Sequence, residues 1–141
     1  MPSPRSGLVV FSLIGVAALA GCGSDASGTA DPDASTTSLE IIVTADEDVT
    51  PLSYSLTCNP AGGDHPQSKQ ACEVLDKIGA GIFEPVPNDM ACTMMFGGPQ
   101  TATVRGTYAG KEVDATFKRT NGCEIDRWDK LGTTFFDIPM L

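Results

Sequence analysis

Leu39-Glu40-Ile41-Ile42-Val43 concentrates β-branched residues and predicts a first strand. Leu52, Tyr54, Leu56 and Cys58 then alternate with polar or small residues, the period of a half-buried strand. Residues 59–64 form a Gly-rich turn, after which Asp64 or His65 is expected to cap a helix with Pro66 in its first turn. Along that helix Ala71, Val74, Leu75 and Ile78 recur at i, i+3, i+4 and i+7, one apolar face, and Gly79 and Gly81 end it. Ala102 to Arg105 and Thr107-Tyr108 read as a strand, Ala109-Gly110 as a turn, and Val113, Ala115 and Phe117 alternate in the returning strand of a hairpin. Ile125, Trp128 and Leu131 predict a short helix with Trp128 as a core anchor, and residues 133–138 a last strand. Five strands, two helices and hairpin connections predict an α+β fold, a five-stranded antiparallel sheet packed against two helices.

The segment 82–99 fits neither period. Its centre, Cys92-Thr93-Met94-Met95-Phe96, sets three large apolar residues side by side. Pro85, Pro87, Asn88 and Asp89 precede it, and Gly97, Gly98 and Pro99 follow it. Such punctuation marks a loop, and loops run over the surface. Exposed apolar side chains beside a cysteine suggest a tethered loop offered to a partner. The alternative is a small satellite core beneath the loop, Met being a common gap filler.

The ends of the chain add a compartment. Arg5 precedes an apolar run from Leu8 to Ala20 that is too short and too poorly flanked for a stable transmembrane helix. It closes on Leu19-Ala20-Gly21-Cys22, which resembles the lipobox of bacterial lipoproteins, where cleavage precedes the cysteine and lipid is attached to it. Residues 1–21 are therefore expected to be a lipoprotein signal peptide. Residues 22–37 are expected to be the lipidated Cys22 and a flexible tether poor in large apolar residues, and 38–141 the folded domain. The protein is expected to be exported and held at the membrane through lipid on Cys22, or secreted if Cys22 is not lipidated.

Five cysteines fit this reading: with Cys22 lipidated, Cys58, Cys72, Cys92 and Cys123 can pair in three ways in an oxidising compartment. The formal charge of -9, about -10 once Arg5 is removed, argues against a nucleic-acid partner. No CxxC spacing exists and His65 is the only histidine, so neither a metal site nor a His-dependent catalytic set is expected, and no cofactor. His65 reads as a turn or cap residue. Asp46, Glu47 and Asp48 read as a solvated loop, since calcium needs six to eight oxygens.

Several segments together resemble the Streptomyces-type subtilisin inhibitor family: Leu56-Thr57-Cys58-Asn59-Pro60, then His65-Pro66 and the helix bearing Cys72. Cys92-Thr93-Met94, Gly106-Thr107-Tyr108-Ala109-Gly110-Lys111 and Asn121-Gly122-Cys123-Glu124 complete the set. The resemblance implies the same five-stranded sheet on two helices, with disulfides Cys58–Cys72 and Cys92–Cys123. By loop entropy these would stabilise by roughly 3 and 3.5–4 kcal/mol. It implies a substrate-like inhibitor of serine proteases rather than an enzyme. The reactive-site loop would be Ala91, Cys92, Thr93, Met94, Met95 and Phe96, with Met94–Met95 the bond presented for cleavage. Met94 is long and apolar, which suits the broad pocket of an extracellular subtilisin-like or chymotrypsin-like protease and not a trypsin-like pocket with a buried carboxylate. Family members often form dimers through the sheet face, so a homodimer is a further expectation. The competing reading is a cell-surface binding lipoprotein that keeps the fold without inhibiting.

Overall fold

The computed structural model describes residues 36–138. The expected signal peptide, Cys22 and residues 23–35 of the expected tether lie outside the described residues, as do residues 139–141.

Among the described residues four strands are present: β1 (Thr37–Thr44), β2 (Leu52–Cys58), β3 (Thr101–Tyr108) and β4 (Lys111–Lys118). They form one antiparallel sheet in the order β2-β1-β3-β4. Period-two patterning does what it predicts. Leu39, Ile41 and Val43 of β1 are buried while their neighbours are not, and Val113, Ala115 and Phe117 alternate likewise on β4. Register places Ile41 opposite Tyr54 and Val104, and Val104 opposite Ala115, so one face of the sheet is a continuous apolar surface. The opposite face is polar: Glu40 lies opposite Arg105, and Arg105 opposite Asp114, with Nε to Oδ1 at 3.2 Å.

Helix α1 (Ser68–Ile78) buries Ala71, Cys72 and Leu75, and the Cys58–Cys72 disulfide ties it to the end of β2. A 3-10 turn, Ala80–Phe83, follows Gly79. Helix α2 (Gly122–Phe136) lies against α1 and β4 and brings Trp128, Leu131, Phe135 and Phe136 into the core. Asn121 begins it: its Oδ1 accepts from the Glu124 N–H at 3.0 Å, satisfying one of the helix's free donors.

Two expectations need correction. The sheet has four strands, because residues 133–136, expected to extend as a fifth, continue α2. An extended Thr133–Phe136 would send Phe135 and Phe136 to opposite faces. Here both are fully buried. Gly132 allows it: at φ 66°, ψ -168° it kinks the helix, a conformation that costs glycine little. Beyond the kink the Phe136 ring stacks on Trp128 with centroids 4.2 Å apart and meets Phe117 edge-on at 5.4 Å.

The second correction concerns α1. It starts at Ser68 after Gln67, with no side-chain cap from Asp64 or His65. Asp64 instead turns back to β2, accepting from both the N–H and the hydroxyl of Ser55. His65 is buried. Its Nδ1 accepts from the Gln67 N–H at 3.0 Å, so Nε2 carries the proton and donates to the Phe135 carbonyl at 2.8 Å. The histidine read as a turn residue thus ties the β2–α1 connection to the far end of α2.

Candidate functional site

The 3-10 turn hands the chain to an extended segment, residues 84–100, that returns to the sheet at β3. Its centre is the apolar triplet. Met94 is 97% exposed, Met95 61% and Phe96 70%. The satellite-core alternative fails on those values, because no hydrophobic cluster among the described residues takes these side chains in. They crown a loop that carries the most exposed large apolar side chains among the described residues.

What holds the loop is one short connection, Arg119 to Cys123, between β4 and α2. On the side before Met94, Cys92 is bonded to Cys123. The Gly122 N–H donates to the Thr93 carbonyl at 2.9 Å. A Cβ on Gly122 would run into Thr93 Oγ1, so any other residue there would push the Thr93 side chain aside. On the side after Phe96, Gly97 is held twice by one residue. Its N–H donates to the Arg119 carbonyl at 2.7 Å, and its carbonyl accepts from Arg119 Nε at 2.9 Å. Here too there is no room for a side chain: a Cβ on Gly97 would stand 2.8 Å from Ile125 Cγ1. Gly98 follows at φ 128°, its backbone pressed against the buried Gln100 side chain. Between these anchors only Met94, Met95 and Phe96 are free of them.

Arg119 is itself braced. Its Nη1 lies 3.0 Å from Asp129 Oδ1, and its guanidinium sits 5.9 Å from the centroid of the Trp128 ring. Beneath the connection a second arginine joins three elements. Arg127 donates from Nε to the Ile82 carbonyl at 2.9 Å and from Nη1 to the Thr116 carbonyl at 2.8 Å, with its guanidinium 4.1 Å from the centroid of the Phe117 ring. Glu124 Oε2 stands 3.6 Å from Nη1, close enough for charge compensation and too far for a hydrogen bond. Burial pushes the Arg127 guanidinium below its ordinary pKa, and the nearby charge of Glu124 opposes that. The floor of the site is thus a desolvated cation bonded to two backbone carbonyls, with the Glu124 carboxylate nearby. An open groove lined by Ile82, Val86, Met90, Met95 and Ile125 runs beside the loop.

Every residue named from the sequence for the loop, Ala91 to Phe96, lies in this one segment, Ala91 exposed and Cys92 half-buried. The four paired cysteines are joined as the resemblance implied. Cys22 lies outside the described residues. Arg119 was not singled out, and Gly97, Gly122 and Ile125 were named only as a turn former, part of a resembling segment and a helix position, not as holding the loop. Nothing local in Lys118-Arg119-Thr120 marks the arginine as a clasp. Among the described residues no group of three or more His, Cys, Asp or Glu side chains could hold a metal ion. Among the same residues no helix is long and apolar enough to cross a membrane.

A family model described as subtilisin inhibitor-like matches residues 34–121. Subtilisin inhibitor-like protein 1 of Streptomyces cacaoi is 32% identical over 78 residues, which cover 52% of this chain and 69% of that protein. Plasminostreptin of Streptomyces antifibrinolyticus is 37% identical over 84 residues, covering 57% of this chain and 75% of the relative. Among solved structures, Streptomyces caespitosus sermetstatin, determined in complex with Bacillus licheniformis subtilisin, aligns with a TM-score of 0.45 at 23% identity, covering 72% of this chain and 96% of that one.

Proposed function

The chain belongs to the subtilisin inhibitor-like family, a family of protease inhibitors rather than enzymes, and from that premise we propose that it inhibits subtilisin-like or chymotrypsin-like serine proteases by offering Met94–Met95 as a substrate that is not released. The observation that carries this reading is a nearly fully exposed Met94 at the crown of a loop anchored on both flanks.

A protease takes an extended segment as an added strand, with pockets for its side chains. Met94 enters the primary pocket, burying a long apolar side chain that has no partner in the free protein. Thr93, Cys92 and Ala91 lie along the cleft before the bond, and Met95 and Phe96 after it. Anchoring the segment in advance lowers the entropy lost on binding. The protease serine attacks the Met94 carbonyl. An ester to Met94 forms, the Met94–Met95 peptide bond breaks, and the Met95 nitrogen leaves as an amine. In an ordinary substrate that amine diffuses away. Here Gly97, two residues on, stays clasped by Arg119, while Thr93 and Cys92 stay fixed to Gly122 and Cys123. The amine remains beside the ester and re-forms the peptide bond in competition with water.

We further infer that Cys22 carries lipid and tethers the inhibitor to the outer face of the cell membrane, a reading supported by Leu19-Ala20-Gly21-Cys22 behind an apolar run. The pocket assignment is tested by Met94→Lys. A lysine there meets the buried carboxylate of a trypsin-like pocket and leaves an apolar pocket with an unpaired charge. Inhibition should shift from subtilisin toward trypsin by at least about tenfold in the ratio of inhibition constants. An unchanged ratio would show that another residue fills the pocket.

A further inference from the structure

All methionines among the described residues lie in one stretch of the loop: Met90 at 52% exposure, Met94 at 97% and Met95 at 61%. Among those residues the core has none. It is built from Leu, Ile, Val, Ala, Phe and Trp, and the sulfurs in this described core belong to the Cys58–Cys72 disulfide. Methionine is otherwise a ready core filler, so its confinement, among the described residues, to the surface of one loop separates oxidisable sulfur from the described core.

We propose that Met94 is an oxidation site for hydroperoxides, and that its sulfoxide switches inhibition off while leaving the fold intact. This rests on the proposed role of Met94. In the reaction the Met94 thioether sulfur attacks the terminal oxygen of a hydroperoxide. An S–O bond forms and the O–O bond breaks. The sulfur loses two electrons, and hydrogen peroxide leaves as water, or an alkyl hydroperoxide as its alcohol. The product is polar and chiral where the thioether was apolar. Such a side chain no longer suits an apolar pocket, whereas the loop anchors use no methionine atom. Cys92–Cys123, the Gly122 bond to Thr93 and the Arg119 clasp on Gly97 all survive the change. The step is reversible by methionine sulfoxide reductases, so the site can report oxidising conditions and recover from them.

Exposure sets the order in which the three sulfurs react: Met94 first, then Met95, then Met90. The whole chain is treated with graded hydrogen peroxide, and each sample is divided between peptide mass mapping, thermal melting and titration against subtilisin. Met94 sulfoxide should appear first, inhibition should weaken about 100-fold in step with it, the melting temperature should stay constant, and methionine sulfoxide reductase should restore inhibition. A Met94→Leu chain, whatever its starting affinity, should keep that affinity through a dose that fully oxidises Met94 in the parent. The proposal is overturned if the fully Met94-oxidised parent still inhibits, if the loss follows Met95 or Met90 instead, or if Met94→Leu loses affinity equally. An untreated chain that fails to inhibit overturns the proposed function and the switch together. A chain that inhibits both before and after Met94 oxidation overturns the switch alone.

Discussion

Arg119 holds the loop on the side that no disulfide reaches. One backbone and one side-chain hydrogen bond to Gly97 fix the chain three residues beyond Met94. The side-chain bond has a charged donor, a type worth about 1.5–3 kcal/mol. Replacing Arg119 by Met keeps the stem beside Trp128 and removes the donor. Arg119→Met should weaken inhibition of subtilisin about tenfold, the equivalent of 1.4 kcal/mol, and speed cleavage at Met94–Met95. Inhibition constants and the appearance of cleaved chain by mass spectrometry read both effects; parental values for both would remove Arg119 from the account. The apolar triplet proposed to meet a partner was legible in the sequence as a loop, because turn formers stand on either side of it; its exposure, against a satellite core, was not. The residues that hold the loop were not. Arg119 lies far from Gly97 along the chain, and their pairing exists only after β4 and α2 are in place. Gly97 showed as a turn former and Gly122 as part of a resembling segment, but in the fold they leave room for Ile125 and Thr93, which no local pattern encodes.

At the scale of elements, patterning served well wherever one face of an element meets the core. Strands β1 to β4 and helix α1 all follow from period two or period 3.6. It failed at the end of α2, where Thr133 and Thr134 before two phenylalanines carry strand composition. Tertiary packing overrode that preference, since only a kinked helix buries both rings against Trp128 and Phe117. The β2–α1 connection shows the same limit. Asp64 was read as a cap and instead grips Ser55. Hydrogen bonds from Ser55, the backbone N–H foremost, hold the Asp64 carboxyl below its ordinary pKa of 3.8. A carboxylate whose pKa is lower in the fold stabilises fully above its unfolded pKa, and that contribution fades as pH falls through the folded value. Asp64→Asn should therefore lower the melting temperature at pH 7 by about 1–3 °C, a small shift consistent with an exposed site, and the gap should narrow as pH falls below 3.8. Melting curves of both chains across that range provide the check, and a gap that does not change with pH would show that the carboxylate charge is not what Ser55 recognises.

For the whole molecule, the division of labour is spatial. A sheet with one apolar face, two helices and a buried arginine make a rigid block, and one edge of that block, where β4 passes into α2, presents the loop. Two disulfides bind the block to its connections, one at the β2–α1 corner and one under the loop. The formal charge of -9 belongs to solubility and leaves the loop as the chemically distinct surface. The proposed attachment of this block to a membrane rests on Cys22. Mass spectrometry of the mature N-terminus should find a diacylglyceryl adduct on Cys22; an unmodified N-terminus in the culture medium would make the protein a secreted inhibitor instead.

The central claim is that Met94–Met95 is a bond a serine protease can bind and attack without profit, and titration of subtilisin with the purified chain tests it most directly. The account predicts that protease activity falls linearly to zero at one inhibitor per enzyme, while mass spectrometry finds Met94–Met95 largely intact and cut only slowly. Rapid digestion at that bond with activity retained, or full activity at high molar excess, would contradict it.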